Sequence, residues 1–197
     1  MASETDLRLV HPPPQPVERR VPSAVLGTLI FIMTEIMLFG GFIAAFLVAR
    51  SAVEVWPPPD QPLLPVEETA FNTVALLLSG AIVYYAGRRF TEDPSKAKLP
   101  MLIGMLLGVF FVVFQGVEWV QLLSDGLTLQ KSAHASFFYL IVGAHGLHVI
   151  GGTLVLFNLW LRLQTNKLTA EAFWAGRLFW YFVVLLWPFL YYLVYLR

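Results

Sequence analysis

The sequence contains no cysteine among its 197 residues, and only 13% of its residues are charged. The lack of cysteine excludes disulfides, iron–sulfur clusters and copper–thiolate centres on this chain, so redox chemistry would need the histidines or another chain. The 13 basic and 13 acidic side chains balance, and without an excess of positive charge we expect no binding of nucleic acid. No small-residue cleavage site follows a short apolar core, so we expect the first apolar segment to remain in the protein.

Apolar residues are abundant, at 57% of the chain. Five apolar segments are each long enough to cross a bilayer as a helix. They predict an all-α, polytopic integral membrane bundle with spans at about 24–49, 66–86, 99–123, 136–161 and 178–196. A polar, proline-rich arm at residues 1–23 precedes this five-helix domain, which covers residues 24–197. Pro188 is expected to break the last span near its middle.

The basic residues predict the direction in which the helices cross. Ten lysines and arginines lie in the arm and in the loops after spans two and four, and three lie on the other side. Because cytoplasmic segments carry the excess of Lys and Arg, we expect the N-terminus in the cytoplasm and the C-terminus outside. At about 1.5 Å per residue, Glu35 and His148 then fall near mid-membrane and form the best candidate pair. Glu67 and Glu118 fall near the outer interface, where they would meet water, lipid headgroups or a partner chain.

Two histidines, His145 and His148, stand three residues apart in the fourth span. Residues at this spacing share one helix face, and ionisable groups at membrane depth usually face a partner rather than lipid. One interpretation is that both are core residues hydrogen-bonded to another helix. A second is that they ligate a metal or haem, and a third is a role with protons or lipid headgroups. Gln115 and Glu118 share a face of the third span in the same way.

Several glycines lie inside the apolar spans, where small residues let helix backbones approach closely. Close packing is therefore predicted at Gly40, Gly41, Gly143, Gly146, Gly151 and Gly152. A phosphate-binding loop would need a preceding strand, which these glycines lack. The chain also has no Glu-x-x-His, the motif that carboxylate-bridged metal bundles repeat. Five spans without an internal repeat argue against a transporter.

Four motifs lie in order along the five spans. They are Thr34-Glu35, Phe39, Gly41-Phe42 and Ala45-Phe46; Trp56-Pro57-Pro58, Glu67, Asn72-Thr73 and Ser79-Gly80; Gly108, Phe111, Gln115 and Glu118; and Phe137-Phe138, Gly143, His145-Gly146-Leu147-His148-Val149 and Gly152. With these motifs in this order, the sequence resembles subunit III of haem–copper terminal oxidases. It is similar to the short form of that subunit, which has five helices rather than seven.

The resemblance implies a subunit with no active site, haem or copper of its own. Such a subunit docks on the catalytic subunit I, which holds haem and copper, reduces oxygen and pumps protons. Other subunits of the respiratory complex accompany it in the bacterial cytoplasmic membrane. The family's helices form a cleft that holds phospholipids, and the subunit supports proton uptake and protects the catalytic subunit from inactivation during turnover.

The resemblance also suggests which side chains matter. The matching intramembrane polar positions are Glu35, Glu67, Gln115, Glu118, His145 and His148. Arg162 matches a basic position that contacts lipid phosphate, which suits the planar fork of a guanidinium. Trp56 and Trp160 are added as lipid-binding candidates because amphipathic rings prefer the membrane interface.

The last span departs from the family pattern, which commonly reads Trp-His-Phe-x-Asp-x-x-Trp. Here Tyr181 replaces the histidine and Val184 replaces the aspartate, so contacts made through those two groups are not expected. This departure is compatible with a quinol oxidase, with an oxidase joined to an unusual electron-donor complex, or with an accessory membrane protein of nitric oxide reductase. A self-standing membrane protein that handles metal or protons through His145 and His148 is a further alternative.

Overall fold

The computed structural model describes residues 21–59 and 61–196, which are helical and contain no β-strand. The five helices are α1 (Ser23–Ser51), α2 (Val66–Glu92), α3 (Lys98–Ser124), α4 (Ala133–Gln164) and α5 (Ala170–Tyr195). Each is long and apolar enough to cross a bilayer, which confirms the predicted five-helix membrane fold. Residues 1–20 of the predicted arm lie outside the described part of the chain.

Side-chain caps and a glycine turn fix several of the helix ends. Ser132 accepts a hydrogen bond from the Ala135 N–H at 3.0 Å, and Thr169 accepts one from the Ala172 N–H at 3.3 Å. These oxygens satisfy backbone donors that the first turn of a helix leaves free. Gly126 follows α3 with a φ of +87°, a conformation that glycine adopts without steric cost.

The last helix, α5, differs from its prediction at its start and in its middle. It begins at Ala170, where Thr169 caps it, rather than near residue 178. The prediction starts too late because polar residues in the first turns of the helix shorten the continuous apolar segment. It also continues through Pro188 to Tyr195, so the expected break is wrong. Membrane helices tolerate proline where neighbouring helices and small backbone adjustments satisfy the freed carbonyl.

Four of the helices form a ring in which α2 packs on α3, α3 on α4, α4 on α5 and α5 on α2. The first helix, α1, lies outside this ring against α4 and α5. Only 11% of the most apolar 18-residue stretch of α1 is buried, compared with 50% of the corresponding stretch of α2. We call the membrane edge that holds the starts of α1, α3 and α5 the first edge, and the opposite one the second edge.

Trp180 is the central side chain of the ring. It is fully buried, and its indole lies directly against Gly108 of α3 and Gly152 of α4. A Cβ atom at Gly108 or Gly152 would stand 2.6 Å or 2.8 Å from that indole, so both positions require glycine. The indole Nε1 donates a hydrogen bond to Ser79 Oγ of α2 at 3.0 Å. One side chain of α5 therefore joins all four helices of the ring.

The prediction of close packing at glycine holds for part of the set. Gly143 packs on Trp119, whose ring would stand 3.1 Å from a Cβ atom there, and Gly152 packs on Trp180. Within the described part of this chain the prediction is wrong for four positions, where a Cβ atom would have no neighbour within 4 Å: Gly40, Gly41, Gly146 and Gly151. These glycines lie on helix faces that are directed into open space rather than at another described helix.

Candidate functional site

A short polar contact joins the outer helix α1 to α4 of the ring. Glu35 Oε2 lies 2.7 Å from His148 Nε2. The side chains are only 12% and 17% exposed, respectively, and the Phe39 ring packs edge-on to the imidazole at 5.3 Å between centroids. This is the pair that the depth estimate predicted.

The contact made by the second ring nitrogen of His148 indicates where the protons of this pair lie. His148 Nδ1 lies 2.7 Å from the Ala144 carbonyl oxygen, and because a carbonyl only accepts, Nδ1 carries a proton. A proton also lies between Nε2 and the Glu35 carboxyl group, since two lone pairs facing each other at that distance would repel. The pair is therefore imidazolium with carboxylate, or imidazole with carboxylic acid, and in both forms it shares one proton.

His145, three residues before His148, has a different environment. It is fully buried, and its ring stacks on Trp187 at 4.8 Å between centroids and meets Phe39 and Phe111 edge-on. Within the described part of the chain, neither of its ring nitrogens has a hydrogen-bond partner. The interpretation of a core residue hydrogen-bonded to another helix thus describes His148, whereas His145 is held by aromatic packing.

A second buried polar cluster lies near the second edge, between α2, α3 and α5. Glu118 Oε2 accepts hydrogen bonds from Thr69 Oγ1 at 3.0 Å and from Gln115 Nε2 at 2.7 Å. Gln115 Nε2 also lies 3.2 Å from the Tyr195 hydroxyl. Because Glu118 is only 3% exposed, the expectation that it meets water or lipid headgroups is wrong. It shares a helix face with Gln115, and that face points into the ring.

Glu67 belongs to neither cluster in the described part of the chain. Its side chain is exposed in the first turn of α2, where a carboxylate interacts favourably with the positive end of the helix dipole. Thr69, two residues further on, reaches Glu118 instead. The predicted polar positions thus divide into the Glu35–His148 pair and the Gln115–Glu118 cluster, with His145 among aromatic rings.

Hydroxyl and indole groups that the sequence did not single out by role join α2 to α5. Trp187 Nε1 donates to Thr73 Oγ1 at 2.8 Å, and the Tyr191 hydroxyl donates to the Val66 carbonyl at 3.0 Å. These bonds run along the same helix pair as the Trp180 contact with Ser79. The sequence does indicate this polar face of α2, since Thr69 and Thr73 are four residues apart and so share one face of an apolar span.

A groove of about 730 Å³ opens at the first edge between α1, α4 and α5. Its walls are largely apolar, and its polar groups come from Thr28, Asn158 and the exposed Arg162. Beside it, the Ala24 N–H donates to Glu171 Oε1 at 2.8 Å, which ties the start of α1 to α5. The groove has the size of a small-molecule binding site. The guanidinium of Arg162 lies at its end near the membrane surface.

The two tryptophans predicted to bind lipid lie away from this groove. Trp56 is half-buried at the second edge, where its ring packs edge-on to His134 at 5.1 Å between centroids. Trp160 is half-buried near the first edge, and its Nε1 donates to the Lys98 carbonyl at 3.2 Å. Of the three predicted lipid-binding residues, only Arg162 lines the groove.

The polar groups described above suit the sharing of a proton and the binding of an amphipathic molecule. Within residues 21–59 and 61–196, no group of three or more His, Cys, Asp or Glu side chains is arranged to hold a metal ion. His148 uses both ring nitrogens in the contacts with Ala144 and Glu35. The pair can share a proton, and the groove at the first edge can hold an apolar chain with a polar head.

The five spanning helices and the buried Glu35–His148 pair define a multi-pass α-helical membrane protein. A sequence profile described as cytochrome c oxidase subunit III matches residues 19–197. The chain belongs to this family and is a subunit III of a haem–copper oxidase, which confirms the resemblance carried by the four motifs.

Individual relatives support the same assignment. The chain is 33% identical over 168 residues to a probable cytochrome c oxidase subunit 3 of Nocardia farcinica, covering 82% of each chain. It is 33% identical over 176 residues to a probable cytochrome c oxidase subunit 3 of Mycobacterium leprae, covering 86% of each. It is 36% identical over 180 residues to the cytochrome c oxidase subunit 3 of Podospora anserina, covering 86% of this chain but 66% of the relative.

Proposed function

We propose that this chain is a non-catalytic subunit of a respiratory oxidase that binds phospholipid and stabilises the catalytic subunit I. In this proposal subunit I holds the haem and copper, reduces oxygen and pumps protons, and the present chain carries no cofactor. The complex lies in the bacterial cytoplasmic membrane, with the N-terminus of this chain in the cytoplasm. The lipid-binding part of the proposed function is supported by the apolar groove that ends at Arg162.

The shape and charge of this groove suit a phospholipid. Phe31 of α1 and Phe179 of α5 line it with rings 5.6 Å apart between centroids, which leaves an apolar wall for an acyl chain. Arg162 lies at the polar end, where a guanidinium can bind two phosphate oxygens at once. An arginine near the membrane surface contributes about 1 kcal/mol to the attraction of an anionic lipid. The groove thus offers both parts that an anionic phospholipid needs.

The exposed side of α1 supports assembly with a membrane partner. Ile30, Met33 and Met37 are 60%, 61% and 77% exposed in this chain. A helix that is apolar on its outer side is stable only where lipid or another apolar helix covers it. The side of α1 that faces away from α4 and α5 is therefore available to lipid and to the catalytic subunit.

Replacing Arg162 with alanine is expected to lower the affinity for anionic phospholipid about fivefold, from the loss of about 1 kcal/mol of attraction. The measurement is native mass spectrometry of the full chain released from nanodiscs that contain dioleoyl phosphatidylglycerol. Lys167→Ala is the matched control, because it removes a positive charge from the exposed loop after α4, outside the groove. Equal lipid retention in the wild type and the Arg162→Ala chain would contradict this role.

The proposal as a whole is tested by purifying the tagged chain from membranes in mild detergent. We expect a haem absorption spectrum and a large polytopic catalytic subunit in the same complex. Mass spectrometry of the accompanying chains would identify the electron donor and would reveal a nitric oxide reductase if that were the partner. A colourless protein that purifies alone would overturn the proposal and return attention to the self-standing alternative.

A further inference from the structure

Arg177 of α5 is a partly buried cation that has no ion-pair partner among the described residues. It is half-buried on α5, and its guanidinium rests on the backbone of Gly87 of α2, in the space that a side chain there would fill. The ring of Phe173 lies 4.9 Å from its Cζ atom and the ring of Tyr181 lies 6.0 Å away. Across the described residues, no carboxylate forms an ion pair with Arg177, and its buried Nε has no hydrogen-bond partner.

An apolar groove of about 200 Å³ lies close to this arginine, between α2 and α5. It is lined by Leu77, Gly80, Ala81, Tyr84, Tyr181, Val184 and Leu185. The groove follows the helices from the level of Leu185 towards Tyr181, and Arg177 stands one turn further towards the first edge. The buried Tyr181 hydroxyl has no hydrogen-bond partner within the described residues. The groove therefore has apolar walls and a polar end.

A second arginine strengthens the positive charge at that end. Arg88 is exposed on α2, next to Gly87, and its Cζ lies 5.9 Å from the centroid of the Tyr84 ring that lines the groove. Because Arg177 packs on Gly87, both guanidinium groups lie at the first edge. Arg89 differs, since its charge is met by Glu92 at 3.1 Å.

Two of the α5 side chains that line this groove are Tyr181 and Val184. Residues 177, 181 and 184 follow the i, i+4, i+7 spacing of one helix face. Valine at 184 leaves that face of α5 without a carboxylate that could meet the charge of Arg177. No carboxylate of the described residues meets the charge of Arg177, so this position can accept an anion from outside the helices.

We propose that the α2–α5 groove is a second lipid site, which binds an anionic phospholipid with its phosphate on Arg177 and one acyl chain along the groove. This site is separate from the groove at Arg162, since the two share no lining residue. The groove's volume of about 200 Å³ suits part of a single acyl chain, whereas a partner helix of about 10–12 Å diameter needs more space. The uncompensated charge selects an anionic headgroup over a zwitterionic one, because only the former brings net negative charge.

The test uses the full chain in nanodiscs that contain either dioleoyl phosphatidylglycerol or dioleoyl phosphatidylcholine. We expect Arg177→Gln to lower phosphatidylglycerol affinity about fivefold, while Arg177→Lys retains most of it. Ala81→Phe fills the groove and keeps the charge, and we expect it to lower lipid retention to a similar extent. Arg50→Gln is the matched control, because it removes an arginine from the second edge. Helix content measured by circular dichroism shows that each variant is folded.

The outcomes separate this site from the one at Arg162. Arg162→Ala and Arg177→Gln should each remove a different bound lipid in native mass spectra, and the double variant should remove both. Unchanged phosphatidylglycerol binding in both Arg177→Gln and Ala81→Phe would overturn the second site, whatever happens at Arg162. A photo-crosslinker at Leu185 that labels the catalytic subunit rather than lipid in the assembled complex would also overturn it, because the groove would then be a protein interface.

Discussion

Replacing Trp180 with alanine is expected to destabilise the folded bundle by about 3–5 kcal/mol, the usual cost of removing a large buried aromatic side chain. The indole fills the space that Gly108 and Gly152 leave open and donates to Ser79. Its loss creates a cavity at the point where four helices meet, and it leaves the buried Ser79 hydroxyl without that donor. The measurement is equilibrium unfolding of the purified chain in mixed micelles, followed by circular dichroism.

Trp174→Ala provides the control for this experiment. Trp174 lies on the same helix, but its side chain is 60% exposed, so we expect its replacement to change the free energy of unfolding by only about 0.5 kcal/mol. If both substitutions had the same effect, the central role of Trp180 would be refuted. Gly108→Leu would provide an independent check, because it forces a side chain into the space that the indole occupies.

Replacing Glu35 with alanine is the second change with a large expected effect. It leaves His148 Nε2 without its partner in a site where that side chain is only 17% exposed. An unsatisfied buried polar group costs about 1–3 kcal/mol, and we expect a loss of stability in this range. Glu68→Ala should cost much less, because Glu68 is exposed at the start of α2. The same unfolding assay compares the two variants.

A double-mutant cycle isolates the contact itself. The single changes Glu35→Ala and His148→Ala and their combination should show a coupling energy of about 0.5–3 kcal/mol, the range for residues in direct contact. A coupling near zero would mean that the two groups do not interact in the membrane. A positive result would establish that α1 is held to the ring by this pair as well as by apolar packing.

Prediction from the sequence succeeded where one local property was sufficient. Five apolar segments predicted five spanning helices, and the depth of each charge along its span predicted the pairing of Glu35 with His148. Prediction failed where the outcome depended on which face meets which neighbour. The depth of Glu118 along its span predicts a position at the interface, but the structure buries its side chain because it faces Thr69 on the neighbouring helix α2.

The same limit explains the aromatic residues and the glycines. Trp56 and Trp160 fitted the membrane interface by residue type, yet each also contacts its own protein. Gly146 and Gly152 look alike in sequence, but only Gly152 meets the ring of Trp180. The spacing of residues on one helix gives the face that they share, and it contains no information about what the opposite helix places there.

The all-helical membrane fold with five spans follows from the sequence alone, because the length and hydropathy of each helix depend only on its own residues. The family follows from the sequence as well, since the four motifs can be read in order from the residues. The division of the polar groups into a Glu35–His148 pair and a Gln115–Glu118 cluster, and the positions of the two grooves, depend on the tertiary structure. Those features depend on side chains from different helices, whose relative rotation and order around the bundle are set by packing, as the fit of Trp180 between Gly108 and Gly152 shows.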